Sequence, residues 1–249
     1  MDLVYILKPG DLNTDLRYSL RSVFAYVQSF DRIWFSGFMP SWVSGGGRVG
    51  YIEPIAVAFG KNTKWKNALA NVLAACIHPD VSSTFALMND DFFAIHPTSL
   101  ETDLNLCRGP LDVNIAKYRR DLTSHWKKSF HQTKQLLKKL GVQHFDDFAL
   151  HLPMLINKDN FLYMAGQDAV KQHLREHAML SFRSVYGNMF HTDPATVEDC
   201  KISRYCDLSK KLAARQWISV FDNVTCNLEL YPRLSGVLSG LGKAPVELE

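Results

Sequence analysis

Two hydrophobic periods alternate along the first hundred residues. Leu3 to Leu7 is a short apolar, β-branched and aromatic run closed by Pro9-Gly10, which predicts a strand. From Asn13 onward Leu16, Leu20, Val23, Phe24, Val27 and Phe30 recur every three or four residues, the spacing of one helix face. Ile33 to Phe38 predicts another strand, Ser41 to Gly50 a glycine-rich loop, and Ile52 to Phe59 a further strand that Pro54 assigns to an edge or irregular position. Trp65 to Ile77 has helical spacing. Thr84 to Met88 then predicts a buried strand that delivers Asn89-Asp90-Asp91 at its carboxyl end. Alternating strands and helices predict an α/β fold with a parallel-containing sheet, and such sheets bind ligands at the carboxyl ends of their strands.

The pattern changes after Pro97. A loop around Arg108-Gly109-Pro110 leads to a basic helix from about Leu122 to Leu140, stopped by Gly141. Lys158 to Ala165 and Ala169 to His177 read as helices, and Met179 to Tyr186 as a strand. Residues 1–110 thus form a core, and 111–249 a mixed α+β region packed on it.

With 249 residues the chain can bury one sizeable core, and its 47% hydrophobic and 21% charged content excludes disorder and fibrous repeats. Its apolar stretches fall well below the roughly 20 residues that cross a bilayer. The amino terminus shows no export signal, so a cytoplasmic protein is expected. Cys76, Cys107, Cys200, Cys206 and Cys226 have irregular spacing and no CxxC pair, which predicts reduced thiols. The net charge of +3 names no partner, but Lys117, Arg119, Arg120, Lys127, Lys128, Lys134, Lys138 and Lys139 are opposed over that stretch only by Asp121, a local basic surface.

The sharpest chemical signal is the acidic pair. Two carboxylates directly after a hydrophobic strand, Asp90 and Asp91, can place hard oxygen ligands beside Mg²⁺ or Mn²⁺ while substrate phosphates complete the shell. The same residues can instead cap a turn or pair with a base.

Asp15 to Val23, Asp31-Arg32-Ile33-Trp34 and Pro40-Ser41-Trp42, ending in Asn89-Asp90-Asp91-Phe92-Phe93, resemble the second conserved block of the Stealth sugar-phosphotransferases. Continued by His151-Leu152-Pro153 and Ser184-Val185-Tyr186-Gly187-Asn188, the layout is also similar to short bacterial and bacteriophage glycosyltransferases. The resemblance covers islands in residues 1 to 190. It implies a GT-A-like, Rossmann-type nucleotide-sugar-binding core and a metal-dependent glycosyltransferase with a nucleotide-sugar donor. The segment Tyr5 to Asp11 lacks the signature that opens Stealth proteins, which favours glycosyl transfer over transfer of a whole sugar phosphate. A sugar-phosphate transferase and a noncatalytic nucleic-acid-binding protein are the rival readings.

Within that frame Asp91, with Asp90, is the expected metal ligand. Arg17 and Arg21, four residues apart on one helix face, can receive diphosphate oxygens, and Lys66 and Asn67 can help hold the nucleotide. His151 can bind the leaving phosphate or orient the acceptor hydroxyl, and Asp146 or Asp147 can act as general base. Arg183, Tyr186 and Asn188 suit sugar hydroxyls or phosphate, with Lys127 and Lys128 on the acceptor side. The acceptor is a polysaccharide precursor or a hydroxymethylated base in phage DNA, the latter fitting the basic helix and its Trp126.

Three motif matches carry less. Gly45 to Gly50 satisfies GxGxxG but precedes a strand rather than a helix. His173 to His177 matches HxxEH with no third ligand. Asn223-Val224-Thr225 is a sequon in a chain without an export signal.

Overall fold

The computed structural model describes residues 1–10, 13–44, 46–55, 64–101, 104–118, 123–202, 216–220, 236, 238 and 240–247. Gly45, Arg119, Arg120, Asp121, Leu122, Cys206, Cys226 and the Asn223 sequon lie outside the described residues, as does the part of the strand expected to Phe59 that follows residue 55.

The central sheet has the order β3-β2-β1-β4-β7, built from β1 (Asp2–Ile6), β2 (Ile33–Ser36), β3 (Val49–Ile52), β4 (Thr84–Met88) and β7 (Met154–Asn157). The first four run parallel, with Leu3 beside Ile33 and Val4 beside Leu87. β7 closes the edge antiparallel, with Phe85 opposite Ile156. Both faces of the sheet are covered, which is why its strands read as nearly continuous apolar runs. Leu3, Tyr5, Ala86 and Met88 pack on one face with Leu16, Leu20 and Val23 of α1 (Thr14–Tyr26). On the other face Val4, Phe85 and Leu87 meet Leu69 and Leu73 of α2 (Lys64–Ile77). A buried Asp2 ties the strand starts together by accepting from Trp34 Nε1 at 3.0 Å and the Ser82 amide at 2.8 Å.

A second sheet, β5-β10-β9, joins β5 (Phe92–Ala94) to β10 (Trp217–Val220) and β9 (Lys201–Ile202), and a parallel pair joins β6 (Leu106–Cys107) to β8 (Ala195–Thr196). Between β6 and β7 come α3 (Leu111–Tyr118) and the basic α4 (His125–Lys139), capped by Ser124, whose hydroxyl accepts from the Lys127 amide. α5 (Lys158–Gly166), α6 (Asp168–Glu176) and α7 (Phe182–Phe190) follow β7. Cys76, Cys107 and Cys200 are free thiols and buried. Among the described residues no helix is long and apolar enough to cross a membrane.

The structure corrects the expectation of a strand from Met179 to Tyr186. This segment enters α7 instead. Phe182, Val185, Tyr186 and Met189 are spaced three, four and seven apart and face the core together, so the helical period wins once the pattern is followed past Gly187. Gly187 allows the close approach: a Cβ there would stand 2.3 Å from the Phe148 ring.

Candidate functional site

The carboxyl end of β4 breaks into a turn at Asn89-Asp90-Asp91 and immediately becomes β5, so the acidic pair stands where the two sheets meet. α1 anchors that junction. Ser19 Oγ donates to the Phe92 carbonyl at 2.6 Å and lies 2.9 Å from Tyr5 Oη, while Ser22 Oγ accepts from the Ala94 amide at 3.0 Å. From β10, Ser219 Oγ donates to Asp91 Oδ2 at 2.7 Å. Burial, then the neighbouring charges of Asp91 and Asp15, push Asp90 up to about 6 against the opposing pull of Lys8. Asn89 Oδ1 is buried without a partner.

Arg183, at the start of α7, lies within electrostatic reach of Asp91. Its Nη1 donates to the Leu152 carbonyl at 2.8 Å, its guanidinium lies 5.4 Å from the Phe92 ring centroid, and its Nη2 is buried with no partner. Burial pulls Arg183 down to about 10, with the charges of Asp91 and Asp199 resisting.

Next to it is a second cluster. His151 Nδ1 lies 2.8 Å from Asp199 Oδ2, the His151 amide donates to Asp199 Oδ1 at 3.0 Å, and Arg108 Nη2 donates to Asp199 Oδ2 at 2.7 Å. Burial alone would raise Asp199, but the hydrogen bond and charge of His151, with Arg108, hold it well below the usual carboxylate range. An ionised carboxylate only accepts, so Nδ1 carries a proton and Nε2 is the nitrogen of the neutral ring that can take one. His151 and Asp199 line a cleft of about 830 Å³, together with Arg108, Lys117, Trp126 and Lys201.

Several candidates from the sequence make their contacts within the chain. Asp147 is fully buried and accepts from Asn114 Nδ2 at 2.6 Å, the Ala149 amide at 2.9 Å, and Arg108 Nη1 and Ser184 Oγ, each at 3.3 Å. With its oxygens so occupied it is not placed as a general base. Tyr186 Oη accepts from the Asn157 amide at the end of β7, and Asn188 clasps the backbone of Asp146 through both amide atoms. Arg17 and Arg21 grip the buried carboxylate of Glu247 at 2.8 to 3.1 Å, and Arg17 also stacks on Trp42. Their forks are thus engaged by a carboxylate of the same chain. Lys66 is buried and Asn67 exposed on the first turn of α2. On α4 Lys127 is half-buried, Lys128 is exposed and Lys134 pairs with Asp112. The HxxEH match is a buried helix contact: His173 Nε2 meets the Met179 carbonyl at 3.0 Å.

Sequence reasoning missed Asp199, Arg108, Ser19, Ser22 and Ser219. Ser19 and Ser22 carried a signal, since polar residues three apart beside the apolar stripe of α1 must find partners when buried. The loop residues Asp199 and Arg108 carried none.

No family model matches the chain, and no curated protein matches it. Among solved structures it is similar to the galactosyltransferase LgtC in complex with donor and acceptor sugar analogs, at 14% identity over 98% of both chains and a TM-score of 0.52. It is similar also to an active-site mutant of LgtC, at 14% identity, 98% of both chains and a TM-score of 0.53. The fold is GT-A. The GT-A core contributes the Asp90-Asp91 turn at the carboxyl edge of its sheet, and α7 contributes Arg183. Among the described residues no group of three His, Cys, Asp or Glu side chains could hold an ion by itself. Two buried-edge carboxylates with the orphaned Asn89 oxygen beside them still fit a hard cation whose shell is completed by phosphate oxygens.

Proposed function

We propose that the chain is a metal-assisted glycosyltransferase that moves a sugar from a nucleotide-sugar donor to an acceptor hydroxyl. The observation that carries this reading is the Asp90-Asp91 turn on a GT-A core with Arg183, whose buried Nη2 has no partner, in electrostatic reach of Asp91. A buried guanidinium nitrogen without an acceptor costs free energy unless a ligand supplies one, and a phosphate oxygen is the matching group. Asp91, with Asp90, would hold Mg²⁺ or Mn²⁺, which when bound supplies electrostatic stabilisation to the departing diphosphate.

The remaining chemistry belongs to the chain. Arg183 binds a phosphate oxygen and balances the charge that grows on it as the bond from the sugar carbon to the diphosphate oxygen breaks. His151, its Nδ1 proton held by Asp199, takes the proton of the acceptor hydroxyl on Nε2 as that oxygen bonds to the sugar carbon. The electron pair of the broken bond leaves with the diphosphate.

The test is a panel of nucleotide sugars incubated with the protein and Mn²⁺, with the nucleotide product identified. Release of nucleoside diphosphate is expected. Nucleoside monophosphate would assign transfer of a sugar phosphate instead, and no turnover of any donor would overturn the reading.

A further inference from the structure

We infer that Ser219 is a positioning residue for the cation site, its hydroxyl fixing the Asp91 carboxylate so that the other carboxylate oxygen is left to the ion. The inference rests on the reading of Asp91 as a ligand of Mg²⁺ or Mn²⁺ in a glycosyltransferase, and it adds a residue that touches neither the ion nor the sugar.

β10 is Trp217-Ile218-Ser219-Val220, a buried strand with one hydroxyl among apolar side chains. Successive side chains of a strand point to opposite faces. Ile218 and Val220 pack with Phe93 and Ile202, whereas Trp217 joins Phe92 and Ala94 in the cluster against α1. Ser219 shares the face of Trp217 and is fully buried, and a buried hydroxyl must find an acceptor. Its acceptor is Asp91 Oδ2 at 2.7 Å, the short distance of a bond to an ionised carboxylate.

The donor in this pair is held and the acceptor is not. β10 is the middle strand of β5-β10-β9, with Ser219 opposite Phe92 on one side and Lys201 on the other. Phe92 directly follows Asp91, so the sheet register itself brings the hydroxyl to the carboxylate. α1 holds β5 as well, through Ser19 on the Phe92 carbonyl and Ser22 on the Ala94 amide. Asp91 sits half-buried in the turn before β5, where a carboxylate without a fixed partner would keep its rotational freedom until an ion ordered it. With Oδ2 held by Ser219, that ordering precedes binding, and Oδ1 is the oxygen left for a cation.

The same residue joins the two halves of the site through its backbone. The Ser219 amide donates to the Cys200 carbonyl at 3.4 Å, and Cys200 follows Asp199, the partner of His151. Ser219→Ala keeps this backbone link and removes the hydroxyl alone.

Mn²⁺ alone, titrated into the whole protein and followed by water proton relaxation, tests the inference without turnover. The parent should bind Mn²⁺ and Asp91→Asn should lose that binding. Ser219→Ala should bind about tenfold more weakly or worse, the scale of removing a hydrogen-bonding partner from a metal ligand. Ser219→Thr keeps a hydroxyl on a strand that suits β-branched residues and should stay within about threefold of the parent. Thermal unfolding of the metal-free proteins separates this role from a bond that serves the sheet alone. A lower midpoint in Ser219→Ala with unchanged Mn²⁺ affinity would overturn the inference while leaving Asp91 a ligand. So would a Ser219→Thr protein as stable as the parent that binds Mn²⁺ no better than Ser219→Ala. No binding by the parent, or binding unchanged in Asp91→Asn, would sink the metal reading and the role of Ser219 with it. The expected Mn²⁺ pattern in a protein that turns over no donor would keep Ser219 in its role and sink the glycosyltransferase reading.

Discussion

Two clusters of carboxylates and arginines lie side by side in this molecule, and they differ in how far their carboxylates are satisfied. At the β4–β5 junction Asp90 is pushed up to about 6 by burial and by Asp91 and Asp15, and Arg183 keeps a buried nitrogen without a partner. A short distance away Asp147 takes four donors, and Asp199 is held low by His151 and Arg108 despite its burial. The residue types are the same. Among the described residues each cluster keeps one buried arginine nitrogen without a partner, Arg183 Nη2 and Arg108 Nε, so it is the state of the carboxylates, electrostatically strained in the first and saturated in the second, that separates a place prepared for a ligand from a brace that holds His151 and the loops around it.

The sharpest way to break that contrast is Asp91→Asn. The amide keeps an oxygen for Ser219 Oγ, so the fold should survive, with a thermal midpoint close to the parent's. The charge that opposes a cation is lost, and turnover should fall by roughly a hundredfold or more, the scale of removing a main electrostatic stabiliser. Donor turnover and thermal unfolding measured on the same preparation check both halves. Normal turnover would remove the acidic pair from the site.

Asp147→Ala should show the opposite profile. It leaves Arg108, Asn114 and the Ala149 amide short of an acceptor in a fully buried setting, a loss of about 3 kcal/mol in stability. Urea unfolding reads this directly. A loss below about 1 kcal/mol would mean that water or rearranged side chains replace the carboxylate, and that Asp147 does not carry its four bonds as described.

The same contrast explains what the sequence could reveal. β1, β2, β4, α1 and α2 follow from local periodicity, and the acidic pair follows from its place after a buried strand. Partner choice does not. Arg17 and Arg21 meet Glu247 more than two hundred residues away, and His151 meets Asp199 across a sequence separation of 48. Either pairing depends on how the second half of the chain returns to the sheet, which no local pattern encodes. Residues 182–188 failed for a different reason: Gly187-Asn188 has turn chemistry, and only the packing on Phe148 shows the glycine to be helical. The basic charge of α4 is legible in the sequence, yet Lys134 is spent on Asp112, and it is Trp126 that reaches a cleft.

A third buried titratable group sharpens the comparison, with the smallest expected effect. His173 has a strongly shifted protonation equilibrium, a property that functional histidines share, but its Nε2 is satisfied by the Met179 carbonyl. Burial above all, with the nearby charge of His177, pulls it down to about 4, whereas an unfolded histidine titrates near 6.5. The sign follows from proton counting. Between those values the unfolded chain binds the proton and the folded one does not, so this contribution is fully present above about pH 6.5. It is lost as pH falls toward 4 and changes no further below that. From pH 7 to 5.5 the loss should be about 1 kcal/mol. His173→Gln keeps an amide donor for Met179 and removes the titration, so its stability should fall less over that interval than the parent's in urea unfolding at each pH. Parallel pH profiles for the two proteins would show that His173 takes up its proton in the fold as readily as in the unfolded chain. In that case a perturbed buried group with a satisfied hydrogen bond could no longer be classed with the brace rather than the site.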